Sequence, residues 1–422
     1  MEESHLSVEV LARWLSGRLE HEELLHQVVP HFLARCPACR ERYEELRRLQ
    51  EEVGHWDEAV AAFEWREAPQ LLALLRDRPY EEQLRLADEY EDLHEWGLVQ
   101  LLLQKSREAV FDDPAEAVNL AQLAILISAH LGEAYDPHWV LDLRARAFAY
   151  LGNALRVLGE LRSAEDAFLE AERLLTKSMT GNTRVEAEVW DLKSSLRGNQ
   201  RRLPEAIELA DRALALYKEN KDQHGVARSL LAMAKALQES GELKRAIDLL
   251  LHLPEEIDPA RELDFFRYAR YNLLGCLSLA GRHAEAEQLL PEVRRLFRDS
   301  AQPLDLVRLR WTEGSIDLGL GRTARAEAAF REVQKEFLDR MMGYDAALAA
   351  LDLAALYAQE GRTEDLRRLA GEIMPVFASR EVHREAMVAL ILFQQACAEE
   401  RLTVKLARHL ADFLRRERRP RG

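Results

Sequence analysis

The residues best suited to chemistry lie near the start of the chain, in His31-Phe32-Leu33-Ala34-Arg35-Cys36-Pro37-Ala38-Cys39. Two thiolates separated by two residues can both reach one ion, because the intervening turn brings the sulfurs to the same side. The histidine before them offers a third donor, and zinc accepts mixed imidazole and thiolate ligands. Four-coordinate zinc needs one more. His5 is the best-placed candidate and His26 the next, so the expected metal set is His5, His31, Cys36 and Cys39. Two other readings of the pair stay open. One is a redox dithiol, which a thioredoxin-like fold would place after a strand; the other is a pair of buried thiols without a ligand. Cys276 and Cys397 fall at apolar positions of helical patterns and read as core residues.

No catalytic constellation accompanies this cluster. The sequence holds no Gly-rich phosphate loop and no nucleophile elbow. In His21-Glu22-Glu23-Leu24-Leu25-His26 the two histidines are one residue too far apart to share a helix face as they do in zinc proteases. An enzyme is therefore not expected.

The elements that must position the cluster follow from composition and periodicity. Of 422 residues, 48% are apolar and 31% charged, with Ala, Leu, Glu and Arg dominant. That mixture excludes a disordered chain and favours an all-α fold. The net charge of −16 argues against nucleic-acid binding, which depends on displacing counterions with basic residues. The C-terminal run Arg415, Arg416, Arg418, Arg419 and Arg421 is a local exception and reads as a solvated helix end. The opening residues are acidic, without the basic and apolar regions of a secretory signal, and no apolar stretch is long enough to span a membrane. A cytoplasmic protein is expected.

From about residue 137 the chain repeats. Gly159-Glu160-Leu161-Arg162-Ser163-Ala164-Glu165 recurs as Gly241-Glu242-Leu243-Lys244-Arg245-Ala246 and as Gly281-Arg282-His283-Ala284-Glu285-Ala286. Two further copies begin at Gly321 and Gly361, and a degenerate one begins at Arg201. The period is thus 42 residues once and 40 thereafter. A fixed period of this size implies stacked units that cannot bury their apolar faces singly. Within the first unit, Gly152 leaves room for a neighbouring helix, Gly159 ends its helix in a left-handed turn, and Ala164, Phe168 and Ala171 line one face of the next helix.

The run Ala145-Arg146-Ala147-Phe148-Ala149-Tyr150-Leu151-Gly152-Asn153-Ala154, with the following Gly159, Ala164, Phe168 and Ala171, resembles the tetratricopeptide repeat. The resemblance covers about two-thirds of the chain. It implies an α-solenoid of stacked helix pairs, binding rather than chemistry, and a concave surface lined by the first helix of each pair. The family's concave positions fall on Arg146, Asn153 and Arg156 in the first unit and on Arg228 and Lys235 in the third. They fall on Tyr268 and Tyr271, with Asn272 beside them, in the fourth unit, and on Arg308 and Trp311 in the fifth. Such a groove suits an acidic, partly apolar peptide. The alternative is that these are ordinary solvated positions of Arg- and Glu-rich helices.

The opening segment is similar to the zinc-binding anti-sigma family. His5-Leu6-Ser7 through Leu15-Ser16-Gly17-Arg18-Leu19 matches that family's first helix, and His31 with Cys36-Pro37-Ala38-Cys39-Arg40 matches its second half. Four residues separate His31 from Cys36, one more than is usual in the family. The resemblance implies a zinc-stabilised head and a sigma factor as partner. It also implies that Tyr43, Leu46, Leu49 and Val53 form a gripping stripe, although an apolar stripe more often faces a core.

The expected organisation is a zinc-binding helical head over 1–53, a helical connector with degenerate repeats over 54–136 and the repeat solenoid over 137–422. The expected function is a regulatory adaptor for protein or peptide partners. The alternative is an assembly scaffold with a purely structural zinc and no sigma-factor role.

Overall fold

The structure is a computed structural model. It describes residues 6, 8–17, 19, 22, 24–29, 31, 36–53, 56–131, 135–298, 303–377, 393, 395–397 and 402–417. Among these residues the regular secondary structure is helical, with no strand. It forms two compact units, Met1–Gly225 and Val226–Arg419.

The first unit opens with α1 (Val8–Leu15), α2 (Pro37–Val53), α3 (Trp56–Arg76) and α4 (Tyr80–Glu89). Next come α5 (Trp96–Ala109), α6 (Pro114–Ala129), α7 (Pro137–Leu158), α8 (Leu161–Ser178), α9 (Thr183–Asn199) and α10 (Leu203–Glu219). Helix α11 (Gln223–Ser240) begins at the end of this unit. The second unit holds α12 (Leu243–Glu256), α13 (Leu263–Leu279), α14 (His283–Arg298) and α15 (Pro303–Gly319). It continues through α16 (Thr323–Asp339), α17 (Gly343–Gln359), α18 (Thr363–Phe377) and α19 (Val404–Glu417).

The repeat seen in the sequence is a repeat of helix pairs. α7 packs on α8 and also on α9, the first helix of the next pair; α13 and α15 stack in the same way. Most helices of these pairs run for 17 or 18 residues, so two helices account for most of the 40-residue period. Each intra-pair turn has one left-handed residue: Gly159, Gly241, Gly281, Gly321 and Gly361 all have positive φ. At the degenerate copy Arg201 takes the same conformation, with φ 61°. Left-handed backbone costs a non-glycine residue about 1–2 kcal/mol. Arg201→Gly should therefore raise unfolding stability by about 0.5–1 kcal/mol, read as a shift of the urea midpoint at constant slope.

Packing inside a pair depends on one close approach. A Cβ added at Gly152 would lie 2.8 Å from the ring of Phe168, and one at Gly314 would lie 2.8 Å from the ring of Phe330. Both pairs are sixteen residues apart, so the same contact recurs in the two units. Ala164, Phe168 and Ala171 are fully buried, as their spacing implies.

Charge also links consecutive turns. Arg197 bonds Glu165, Arg322 bonds Glu287, and Arg362 bonds Glu327 at 2.6 Å. Arg197 holds the Glu165 carboxyl down to about 2.

The sequence over 81–113 carries helical periodicity, yet the helix is broken at residues 90–95, where a short 3-10 turn, Glu91–Leu93, separates α4 from α5. The chain has no proline or glycine there. The break follows from packing, because Leu93 is buried at the turn. Beyond it, α5 packs on α6 and α6 on α7, as a degenerate pair would. Asp113 caps α6 by accepting from the Glu116 amide at 3.0 Å, with Pro114 in the first turn.

Candidate functional site

Helix α2 begins at Pro37, where the missing N–H removes no helical bond. This start places Cys36 just before the helix and Cys39 in its first turn. The donor atoms of His31, Cys36 and Cys39 all lie within 4.8 Å of one another. Cys39 is fully buried and Cys36 nearly so, and none of the four cysteines is in a disulfide. The Leu6 amide donates to Cys39 Sγ at 3.2 Å. Burial raises the Cys39 thiol, while that amide works in the opposite direction by favouring thiolate.

The donor chemistry fits zinc. Zinc–sulfur and zinc–nitrogen bonds of about 2.0–2.3 Å let one ion bridge donors at this spacing. The amide bond to sulfur is the kind of outer support that tunes a thiolate ligand. The extra residue between His31 and Cys36 has not pulled the donors apart. His5 lies outside the described residues, although its neighbour Leu6 is at the cluster. His26 is exposed and does not belong to the group of three.

Around the cluster, Leu6, Val8, Leu11, Leu46, Leu49, Val60 and Phe63 form one core. Leu46 and Leu49 of the α2 stripe are buried in it, and Tyr43 packs against Trp14 with ring centroids 4.9 Å apart and planes tilted by 41°. Within the unit Tyr43, Leu46 and Leu49 of this stripe face the core.

The concave positions of the second unit converge. Lys235, Tyr268, Tyr271, Asn272 and Arg308 line one cavity of about 390 Å³, with Leu231 and Phe297. Lys235 is exposed and forms no ion pair among the described residues. Tyr268 is 39% exposed and donates to Asp305 at 2.9 Å; Arg308 lies 3.5 Å from the same carboxylate. Burial raises the hydroxyl pKa of Tyr271, which donates to the Arg308 carbonyl at 3.4 Å. The result is a partly apolar wall of two tyrosines and a phenylalanine with cations at Lys235 and Arg308. Sequence reasoning missed Asp305, which orders both Tyr268 and Arg308. Its signal was its position one helical turn before Arg308.

The remaining predicted positions take other roles. Trp311 donates to Asp352 at 2.7 Å and packs edge-on against Phe337, half-buried between helices. Asn153 is only 7% exposed, and its Oδ1 accepts from Arg156 at 2.8 Å. It holds that guanidinium in place and does not face solvent. Burial lowers Arg156 to about 10. Arg146 bonds Glu188 at 2.7 Å and Gln100 at 2.9 Å in a separate cavity of about 620 Å³ that also includes Trp96, Trp139 and Asp142. Arg228 is half-buried on α11. Cys276 is buried, and burial raises its thiol to about 11, as a core cysteine requires. No helix among the described residues is long and apolar enough to cross a membrane.

Two solved structures share this arrangement of helices. One is a Rap protein complexed with competence and sporulation factor, at 14% identity and TM-score 0.53, covering 79% of this chain and 89% of that one. The other is aspartyl phosphate phosphatase F from Bacillus subtilis, at 12% identity and TM-score 0.54, covering 90% and 96%. The likeness is one of fold. No protein-family model and no curated protein matches the chain. The fold is therefore all-α, of stacked tetratricopeptide-like helix pairs.

Proposed function

We propose that the protein is a regulatory adaptor whose second unit binds an acidic, partly apolar segment of a partner protein or peptide. The observation that carries this reading is the convergence of Lys235, Tyr268, Tyr271, Asn272 and Arg308 on one cavity. Aromatic walls supply contact area at low entropic cost, and Lys235 and Arg308, set against the single carboxylate of Asp305, leave a net positive charge that favours acidic side chains. A similar fold holds competence and sporulation factor in the Rap complex, which supports a ligand-binding role here.

The test is fluorescence polarisation with labelled peptides that combine Asp or Glu with an aromatic residue. Lys235→Glu and Arg308→Glu should each weaken binding about tenfold or more, since like charge across an interface costs on the order of a kcal/mol or above. Unchanged affinity in both variants sinks the reading.

In the same proposal, His31, Cys36 and Cys39 hold a zinc ion in the N-terminal module, with His5 as the fourth donor. Bound zinc would supply folding energy to a segment with a small core. The sigma factor implied by the anti-sigma resemblance would engage this module. Deleting residues 1–53 should then remove that partner and leave peptide binding by the second unit intact. An unchanged partner set assigns recognition to the repeats alone.

A further inference from the structure

A dense set of titratable side chains outside these sites lies in the first unit, where α3 meets the start of α5. Glu64 on α3 is 1% exposed. Its Oε2 accepts from the Gly97 amide at 2.9 Å, and its Oε1 accepts from the Tyr135 hydroxyl. That hydroxyl accepts in turn from the Trp96 amide at 3.2 Å. Glu64 thus occupies the N-terminus of α5, where unpaired amides and the helix dipole favour an anion.

Glu95 is a second carboxyl at the same place. It is the N-cap residue of α5, yet its side chain makes no capping bond. Its Oε2 is buried and has no hydrogen-bond partner. Glu64 and Glu95 line one cavity of about 340 Å³.

The charges around Glu95 do not compensate a second anion. From α2, Arg42 faces the cavity, but it lies 3.7 Å from Glu67 of α3. From the preceding turn come Glu91 and Asp92. His94 and His130 stack with centroids 4.5 Å apart. His94 Nε2 is bonded to the Ala87 carbonyl, and His130 Nε2 lies 2.8 Å from Asp88. Burial lowers His94, which keeps that ring neutral. Tyr90 and Tyr135 complete the titratable groups, and burial holds Tyr135 well above its ordinary value.

We propose that Glu95 is a proton-operated latch on this joint, closing α3 against α5 when neutral and loosening residues 90–97 when ionised. Burial, and then the neighbouring Glu64 charge, push Glu95 up to about 8. Its folded pKa lies above the ordinary carboxyl value. Its proton therefore contributes stability in full below about 4.5, and that contribution is lost as pH rises through about 8. The device would respond to mild alkalinity.

Hydrogen–deuterium exchange on the full chain, corrected for intrinsic rates, tests this between pH 6.5 and 9.5. Protection of residues 91–104 should fall about tenfold across the upper half of that range, while residues 303–359 stay unchanged. Glu95→Gln should abolish the step. Flat protection in the wild type, or a step that persists in Glu95→Gln, overturns the proposal. Infrared difference spectra of the wild type between pH 7 and 9.5 provide a readout that does not depend on the variant folding. They should show loss of a protonated-carboxyl stretch, and absence of that band at pH 7 overturns the latch as well.

Discussion

Cys39→Ser is expected to abolish the proposed zinc binding of the N-terminal module and to unfold it. Cys39 is fully buried, within 4.8 Å of the other two donors, and its sulfur accepts from the Leu6 amide. A hydroxyl there is a poor zinc ligand. The apolar cluster of Leu6, Leu11, Leu46 and Leu49 is small, so the metal would supply much of the module's stability. Structural zinc in small domains is worth about 10–16 kcal/mol at neutral pH, and loss of even part of it exceeds what such a core provides. Zinc content should drop from about one ion per chain to none. Proteolysis should then cut within α1 and α2 while the second unit stays protected. Chelation of the wild-type protein should reproduce both results, and Cys276→Ser should reproduce neither, because that thiol is a core residue. Wild-type protein that purifies without metal and resists proteolysis in chelator would remove zinc from the account. His5→Ala then reports on the fourth position through a graded loss of affinity.

Much of the repeat was legible because its determinants are local. A left-handed turn needs glycine or a residue that tolerates positive φ, so Gly159 and its four equivalents mark their pairs, and at the degenerate copy Arg201 keeps the conformation. The contact of Gly152 with Phe168 needs a missing side chain opposite a large one, which spacing reveals. The grouping of His31, Cys36 and Cys39 was legible for the same reason, since the two cysteines are three residues apart. What spacing could not show was direction. Asn153 sits at a concave register but turns inward to Arg156, and Trp311 is drawn between helices by Asp352 and Phe337. The break at residues 90–95 has no local breaker and depends on burial of Leu93, a tertiary effect. The bonds from Arg322 to Glu287 and from Arg362 to Glu327 span a constant 35 residues. They were written in the repeat, but a reading of single helices does not look that far.

Gly97→Ala should be the most damaging single methyl addition in the first unit. A Cβ at Gly97 would lie 2.3 Å from the carbonyl carbon of Glu64, 2.4 Å from its oxygen and 2.6 Å from the Trp65 nitrogen. These are backbone atoms in the middle of α3, so no rotamer change relieves the clash. The two helices must separate. That movement would break the bond from the Gly97 amide to the buried Glu64 carboxylate and open the contacts of Leu98, Val99 and Leu102, all fully buried. Overpacking costs about 1–3 kcal/mol, and a buried carboxylate left without its donor adds about 1–3 more. A loss of about 3 kcal/mol or greater is therefore expected in urea unfolding of the first unit. Gly275→Ala provides the contrast. Gly275 lies inside α13, its Cβ would meet nothing within 4 Å, and its φ is not positive. Removing a flexible residue from a helix interior should stabilise by about 0.5–1 kcal/mol. Opposite signs for the same chemical change would establish that close backbone approach, and not a general need for glycine, sets the joint between α3 and α5. Equal small effects at both positions would mean that α3 and α5 do not approach this closely.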